Sequence, residues 1–67
     1  EPAMEPITGS ELEVLRLLAA GASNKQIAED LALVTGTVKG HLLNIYRKLG
    51  VHNRTQAVVR ARELNLL

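Results

Sequence analysis

The chain has 67 residues, 46% of them hydrophobic, and contains no cysteine, two histidines and a single aromatic residue. This length fits one small domain, and the absence of cysteine excludes both disulfides and thiolate metal sites. His41 and His52 are too few and too far apart for a histidine metal site, and no apolar run is long enough to span a bilayer. We therefore expect one domain that is stabilised by packed aliphatic helices and has no metal or cofactor.

The formal charge of +1 is distributed unevenly along the chain. Residues 1–34 contain six acidic and two basic residues, a net charge of −4, whereas residues 35–67 contain six basic residues and one acidic residue, a net charge of +5. Such asymmetry indicates a cationic face for a polyanion, with an acidic scaffold behind it. The alternative is an ordinary solvated surface.

The first two predicted helices each begin at a capping box, in which a Ser or Thr hydroxyl and a Glu or Gln three residues later satisfy free backbone N–H groups. Residues 1–6 hold two prolines and no periodicity, and are predicted to be a disordered linker remnant. Thr8 and Glu11 then open the first helix, which Gly21 ends. Its inward side is expected to carry Leu12, Leu15 and Ala19, widened by Val14, Leu17 and Leu18.

Ser23 and Gln26 open a second, short helix, and residues 32–34 form a tight turn whose Leu33 points into the core. A third helix is predicted over residues 36–49, with one buried seam at i, i+4, i+7 and i+11 formed by Val38, Leu42, Ile45 and Leu49. Asn53 can cap a fourth helix that runs to about residue 64, with an inward stripe formed by Ala57, Val58, Ala61 and Leu64. No strand pattern is visible, so the predicted fold class is all-α.

Residues 23–44 therefore have the layout of a helix-turn-helix, in which the second helix enters the major groove of DNA. Projection at 3.6 residues per turn places Gly40, Leu43, Asn44 and Arg47 away from the buried seam, with Thr37 and Lys39 beside them at the helix start. Lys48, Arg54 and Thr55 are candidates for flanking phosphates. A solvated helix face is the alternative for each basic residue taken singly.

Three ordered blocks resemble the LuxR-type (LuxR/FixJ/GerE) helix-turn-helix domain: ITGSELEVLRLLAAGASNKQIAEDL, TVKGHLLNIYRKLGV and NRTQAVVRARELNLL. The resemblance covers residues 7–67 and is greatest to the C-terminal domains of large MalT-like regulators. It implies a four-helix bundle whose helix-turn-helix proper is residues 24–43. It also implies the sequence-specific DNA-binding domain of a bacterial, cytoplasmic, response-regulator-like transcriptional regulator, with the helix at 36–49 in the major groove.

The resemblance further implies a homodimer formed through the last helix and RNA polymerase as an additional partner, with no membrane association. Projection and resemblance together give the DNA-binding candidates, which are Asn24, Lys25, Thr35, Thr37, Lys39, Gly40, Leu43, Asn44, Arg47, Lys48, Arg54 and Thr55. The expected dimer interface consists of Ala57, Val58, Val59, Ala61 and Arg62.

The sequence departs from the family pattern at three places. Ser10 stands where the family usually has Arg, so a structural ion pair is expected to be missing there. Val34 stands where a Ser or Thr usually caps the recognition helix, and valine cannot cap. Gly40 and Leu43 have no hydrogen-bonding side chain, so we expect modest base discrimination, with flanking contacts and DNA shape contributing.

Two other functions fit the helical pattern less well. A sigma-factor-like promoter-binding domain shares the first helices, but the block NIYRKLGVHNRTQAV, with its additional fourth helix, favours the LuxR type. A helical protein-interaction module without DNA binding is the alternative from another class, because fold alone does not prove function. An enzyme has the least support, since no acid–base pair, activated nucleophile, phosphate loop or metal cluster is apparent.

Overall fold

The computed structural model describes residues 5–67, which fold into four α-helices. These are α1 (Gly9–Ala19), α2 (Asn24–Leu31), α3 (Thr35–Leu49) and α4 (Arg54–Glu63). No strand occurs in this described range, and the predicted all-α class is confirmed.

Residues 1–4 of the expected linker remnant lie outside the described residues. The last two residues of that segment, Glu5 and Pro6, are not free of the domain. Arg47 hydrogen-bonds the Glu5 carboxylate at 2.7 Å, and Lys48 Nζ donates to the Pro6 carbonyl at 3.1 Å. These contacts attach the segment that precedes α1 to the C-terminal part of α3.

The helices begin where their capping residues predict. Thr8 Oγ1 accepts from the Glu11 backbone N–H at 3.2 Å, and Glu11 Oε1 accepts from the Thr8 N–H at 3.0 Å. Ser23 and Gln26 repeat this reciprocal pair at 3.1 and 2.8 Å, and Asn53 caps α4. Both predicted capping boxes and the predicted Asn cap are present, so three of the four helix starts are fixed by local side chains.

All four helices end at a residue in the left-handed conformation, after which the chain turns back onto the core. These residues are Gly21 (φ 91°), Ala32 (φ 55°), Gly50 (φ 69°) and Asn65 (φ 59°). In each case the next N–H bonds a carbonyl five residues earlier, as in Leu33 to Ala28 at 2.8 Å. The hydrophobic residues that follow pack against the core, as this motif favours: Ala22, Leu33, Val51 and Leu66.

The core is formed by aliphatic residues from all four helices. Its fully or nearly fully buried members are Val14, Leu15, Leu18, Ile27, Ala28, Val38, Leu42, Ile45, Leu49, Ala57 and Ala61. The predicted seam of α3 is confirmed in full. On α1 the buried side is centred on Val14, Leu15 and Leu18, whereas Leu12 and Ala19, which were expected to face inward, are only half-buried.

The recognition-helix candidate, α3, begins one residue earlier than predicted, at Thr35. Its N-cap is Val34, which makes no side-chain capping hydrogen bond. The Val34 side chain is 70% exposed, so it neither caps the helix nor joins the core. This start is consequently held by the turn and by the packing of α3 rather than by a local cap.

Within residues 5–67, no helix combines the length and apolar character needed to cross a bilayer. The same part of the chain contains no group of three or more His, Cys, Asp or Glu residues that could hold a metal ion.

Candidate nucleic-acid interface

One side of α3 is exposed along its whole length because the other side forms the centre of the core. We call this side the groove face and define it as Thr37, Lys39, Gly40, Leu43, Asn44 and Arg47, all of which are exposed. At 100° per residue, Gly40, Leu43 and Arg47 lie almost opposite the buried seam. The sequence-predicted orientation of these six residues therefore agrees with the burial pattern.

The start of α3 offers backbone and hydroxyl donors to an anion. Val34 leaves the first turn without a side-chain cap, and the residues of that turn, Thr35, Gly36 and Thr37, are exposed. The Thr37 N–H donates to the Val34 carbonyl at 3.0 Å, so the backbone donors of this turn are the N–H groups of Thr35 and Gly36. Free N–H groups and the helix dipole at such a start favour a phosphate oxygen.

Residues from three helices meet beside the groove face. Arg54 Nη2 donates to Asn24 Oδ1 at 2.6 Å, and Arg54 Nη1 donates to the Ala22 carbonyl at 3.3 Å. The pair borders a shallow depression together with Lys39 and Leu43. Because Asn24 uses its oxygen to accept from Arg54, its amide N–H groups remain as donors for an external acceptor.

Two other candidates occupy different surroundings. Lys25, in the first turn of α2, is exposed, as expected. Thr55 instead lines a depression with Val59 and Arg62 on the outer side of α4. Thr55 therefore lies beside two of the expected dimer residues, although Arg54 borders the same depression.

Lys48 has a structural role that the sequence did not reveal. Its Nζ lies 2.7 Å from Glu11 Oε1, and its side chain is only 11% exposed. This geometry disfavours the expected contact of Lys48 with a flanking phosphate, because its ammonium group already serves Glu11 and the Pro6 carbonyl. α3 turns Lys48 inward because it lies beside the buried seam, about 60° from Ile45 on the helical projection.

Glu11 is the one buried charged residue within the described range. Burial alone would raise the pKa of its carboxyl group. The hydrogen bond and charge of Lys48, with the hydrogen bonds of Thr8, outweigh that effect and hold the pKa below its ordinary value. The sequence indicates the capping role of Glu11 but not this ion pair, since nothing local connects Glu11 to a lysine 37 residues later.

Arg47 is available in a way that Lys48 is not. Its guanidinium group lies 2.7 Å from the Glu5 carboxylate, but both side chains are 60% exposed. An exposed pair of this kind contributes at most about 1 kcal/mol, so a phosphate can replace the carboxylate at little cost.

The outer side of α4 differs from the predicted dimer interface in two positions. Ala57 and Ala61 are fully buried in the core of their own chain, and therefore cannot contact a partner. Val59 lies some 200° from both around the helix and is 50% exposed. Val58 is half-buried and Arg62 is exposed, and both border a depression that reaches the end of α1 at Leu18 and Ala19.

Residues 5–61 match the sequence profile of bacterial regulatory proteins of the luxR family. The chain belongs to the LuxR family. It is 48% identical over 56 residues to YhjB of Escherichia coli (strain K12), a candidate HTH-type transcriptional regulator, covering 84% of this chain and 28% of YhjB. It is also 48% identical over 59 residues to the HTH-type transcriptional regulator MalT of Serratia proteamaculans (strain 568), covering 88% of this chain and 6% of MalT.

Solved structures show the same architecture. The LuxR-family domain superimposes on the crystal structure of ChrA, a response regulator of a heme-sensing two-component system, with a TM-score of 0.93 and 43% identity, covering all of this chain and 33% of that one. The transcription factor GerE gives a TM-score of 0.85 at 35% identity, covering 98% and 96% of the two chains.

These similarities confirm the predicted family and its helix-turn-helix DNA-binding domain of transcriptional regulators. They also confirm the expected similarity to MalT-like regulators. The family is a DNA-binding regulator domain and not an enzyme, as predicted. The chain spans less than a third of the length of either curated relative.

Proposed function

We propose that this LuxR-family domain binds a specific duplex sequence by inserting α3 into the major groove, and that it does so as a homodimer joined through α4. One observation carries the DNA part of this proposal. The core buries one side of α3 completely, and the side it leaves in solvent carries Lys39, Asn44 and Arg47. A helix with such a face matches the width of the B-DNA major groove.

The surrounding residues support the same docking. Asn24, Lys25 and Arg54 at one border, with Thr35 and Thr37 at the helix start, are donors suited to phosphates on either side of the groove. Lys48 is left out of this set because of its ion pair with Glu11. Phosphate contacts of this kind position the protein, whereas the base contacts come from the centre of the groove face.

Amide chemical-shift mapping with a duplex at low salt tests the DNA part. We expect the largest changes over residues 35–47 and at the starts of α2 and α4, and small changes on α1. If α3 stays unperturbed at saturating duplex, the domain is a protein-interaction module that has kept only the fold.

The dimer proposal rests on the apolar surface around Val58 and Val59, which one small core leaves half-covered. A matched pair of variants tests it on a duplex with two selected half-sites. Val59→Lys should abolish cooperative binding to two half-sites while keeping affinity for one. Ser10→Lys, which adds the same charge at an exposed position of α1, should retain cooperativity. Equal loss of cooperativity in both variants, or its absence in the native chain, would contradict an α4 interface and favour the sigma-like alternative.

In the longer proteins of this family the domain is one part of the regulator. We therefore also propose that this chain serves transcription control in the bacterial cytoplasm, with RNA polymerase as a further partner. Transcription from a promoter that carries the selected site, measured with and without the chain and its Lys39→Gln variant, tests this role.

A further inference from the structure

We propose that Leu43 recognises the C5-methyl group of a thymine in the major groove, and is the main base-reading side chain at the centre of the groove face. This inference rests on the proposed docking of α3 and names the chemistry of the base that it reads. Leu43 is an apolar side chain that the packing of the domain does not require.

Leu43 is 67% exposed, although it lies in the middle of α3. The buried seam that holds α3 is complete without it, since Val38, Leu42, Ile45 and Leu49 are all at most 5% exposed. Leu43 is therefore not required for packing within residues 5–67, and a polar residue there would suit water better.

The space next to Leu43 is open. Gly40 lies one turn earlier on the same face, and a Cβ atom added to it would meet no other atom within 4 Å. The domain's own packing thus does not require glycine at this position, even though glycine weakens a helix interior. The missing side chain leaves room for a base edge to approach the helix beside Leu43.

Base chemistry then selects the ligand. Leu43 has no donor or acceptor, so it cannot distinguish bases by hydrogen bonds. Among the four bases, only thymine presents an apolar group in the major groove, its C5-methyl. The charged neighbours Lys39 and Arg47, one turn to either side, attract the phosphates that flank such a base.

Selection of bound duplexes from a random pool, followed by single replacement of each thymidine by deoxyuridine, tests this inference with the 67-residue chain. The replacement removes only the methyl group. At one of these positions, the replacement should weaken binding of the duplex to the native chain about three- to fivefold. This is the factor that corresponds to burial of one methyl-sized group. Placing 5-methylcytosine there should bind more tightly than cytosine by a similar factor, because the methyl group is the same.

The affinity of Leu43→Ala should not change when deoxyuridine replaces thymidine at that position. Because Leu43 is exposed, this variant should fold like the native chain. Leu67→Ala provides the matched control, since it truncates an exposed leucine outside the groove face and outside the proposed dimer interface, and should keep the full methyl effect. A uniformly flat deoxyuridine scan, or an equal methyl effect in the native chain and Leu43→Ala, overturns the inference while leaving DNA binding intact. If the chain binds no duplex at low salt, both the proposed function and this inference are wrong.

Discussion

At the scale of single residues, the ion pair between Glu11 and Lys48 is the polar contact with the greatest structural weight. It joins α1 to the C-terminal half of α3, and Glu11 also caps α1. Charges this well covered are stabilising only while both are present, because either one alone would be left without a partner.

Replacement of Glu11 by Gln should lower the free energy of unfolding at pH 7 by about 1–3 kcal/mol, since the amide keeps the Thr8 contact but loses the charge. The pKa of Glu11 is lowered in the folded chain, so its contribution is complete above the ordinary carboxyl value of 4.5 and is lost as the pH falls through the lower folded value. Denaturant unfolding measured from pH 7 to pH 3 tests this. The difference in the free energy of unfolding between the native chain and Glu11→Gln should become smaller as the pH falls. Glu13→Gln, an exposed carboxylate on the same helix, should show little difference at any pH.

Ala32 adopts a backbone conformation that is unfavourable for an alanine. It adopts φ 55° and ψ 42° at the end of α2, a region that costs an L-residue about 1–2 kcal/mol. Ala32→Gly should therefore raise the free energy of unfolding by about 0.5–1 kcal/mol, net of the greater flexibility of glycine in the unfolded chain.

Ala20→Gly is the matched control for that substitution, because Ala20 is also exposed at a helix end but has an ordinary right-handed conformation with φ −80°. It should lower stability by about 0.5–1 kcal/mol. Thermal melts measure the Tm of both variants. If the two substitutions change the Tm in the same direction, backbone strain at Ala32 is absent.

At the scale of elements, α3 combines two requirements that favour different residues. Its buried side is a continuous aliphatic seam that holds the bundle, whereas its exposed side contains Gly36 and Gly40, which weaken a helix. The fold does not demand these glycines, since added Cβ atoms would meet nothing. We therefore expect stability and DNA binding to change in opposite directions when they are replaced.

Gly40→Ala should raise the free energy of unfolding by about 0.5–1 kcal/mol while weakening binding to the selected duplex, because the new methyl group occupies the space next to the base edge. Denaturant melts and fluorescence-anisotropy titrations on the same preparations measure both effects. Affinity that rises with stability would show that the glycine serves no close approach. Gly9→Ala, at the start of α1, controls for a general effect of removing glycine.

At the scale of the whole molecule, only part of the basic excess that follows Val34 lies on the groove face. Of the six basic residues after Val34, the structure places Lys39 and Arg47 on the groove face and withdraws Lys48 into an ion pair. We therefore expect fewer neutralised phosphates than a count of basic residues would indicate.

Salt dependence measures that number. Lys39→Gln should reduce the slope of log K against log[salt] by about 0.9, the change expected for loss of one phosphate contact. Arg16→Gln removes the same charge from a surface beside Glu13 and Asp30, and should leave the slope unchanged. Titrations between 50 and 200 mM salt, about the range over which such contacts are resolved, distinguish the two. Equal slopes for all three proteins would place Lys39 away from the phosphates.

The sequence by itself determined the elements and their orientation. Capping boxes at Thr8 and Ser23 and the seam of α3 depend on residues three to eleven positions apart, and such interactions are formed within one helix whatever the rest of the chain does. They sufficed for the all-α class, for the helix starts to within one residue, and for the outward direction of the groove face.

Only the tertiary structure decided which outward candidates are free and which are used internally. Lys48 meets Glu11, Arg54 meets Asn24, and Ala57 and Ala61 enter the core instead of an interface. Each of these outcomes depends on how two helices cross, and the partners are 30 or more residues apart in both polar pairs. A helical projection gives the direction of a side chain but not its neighbour on another helix, and for that physical reason the sequence could not supply them.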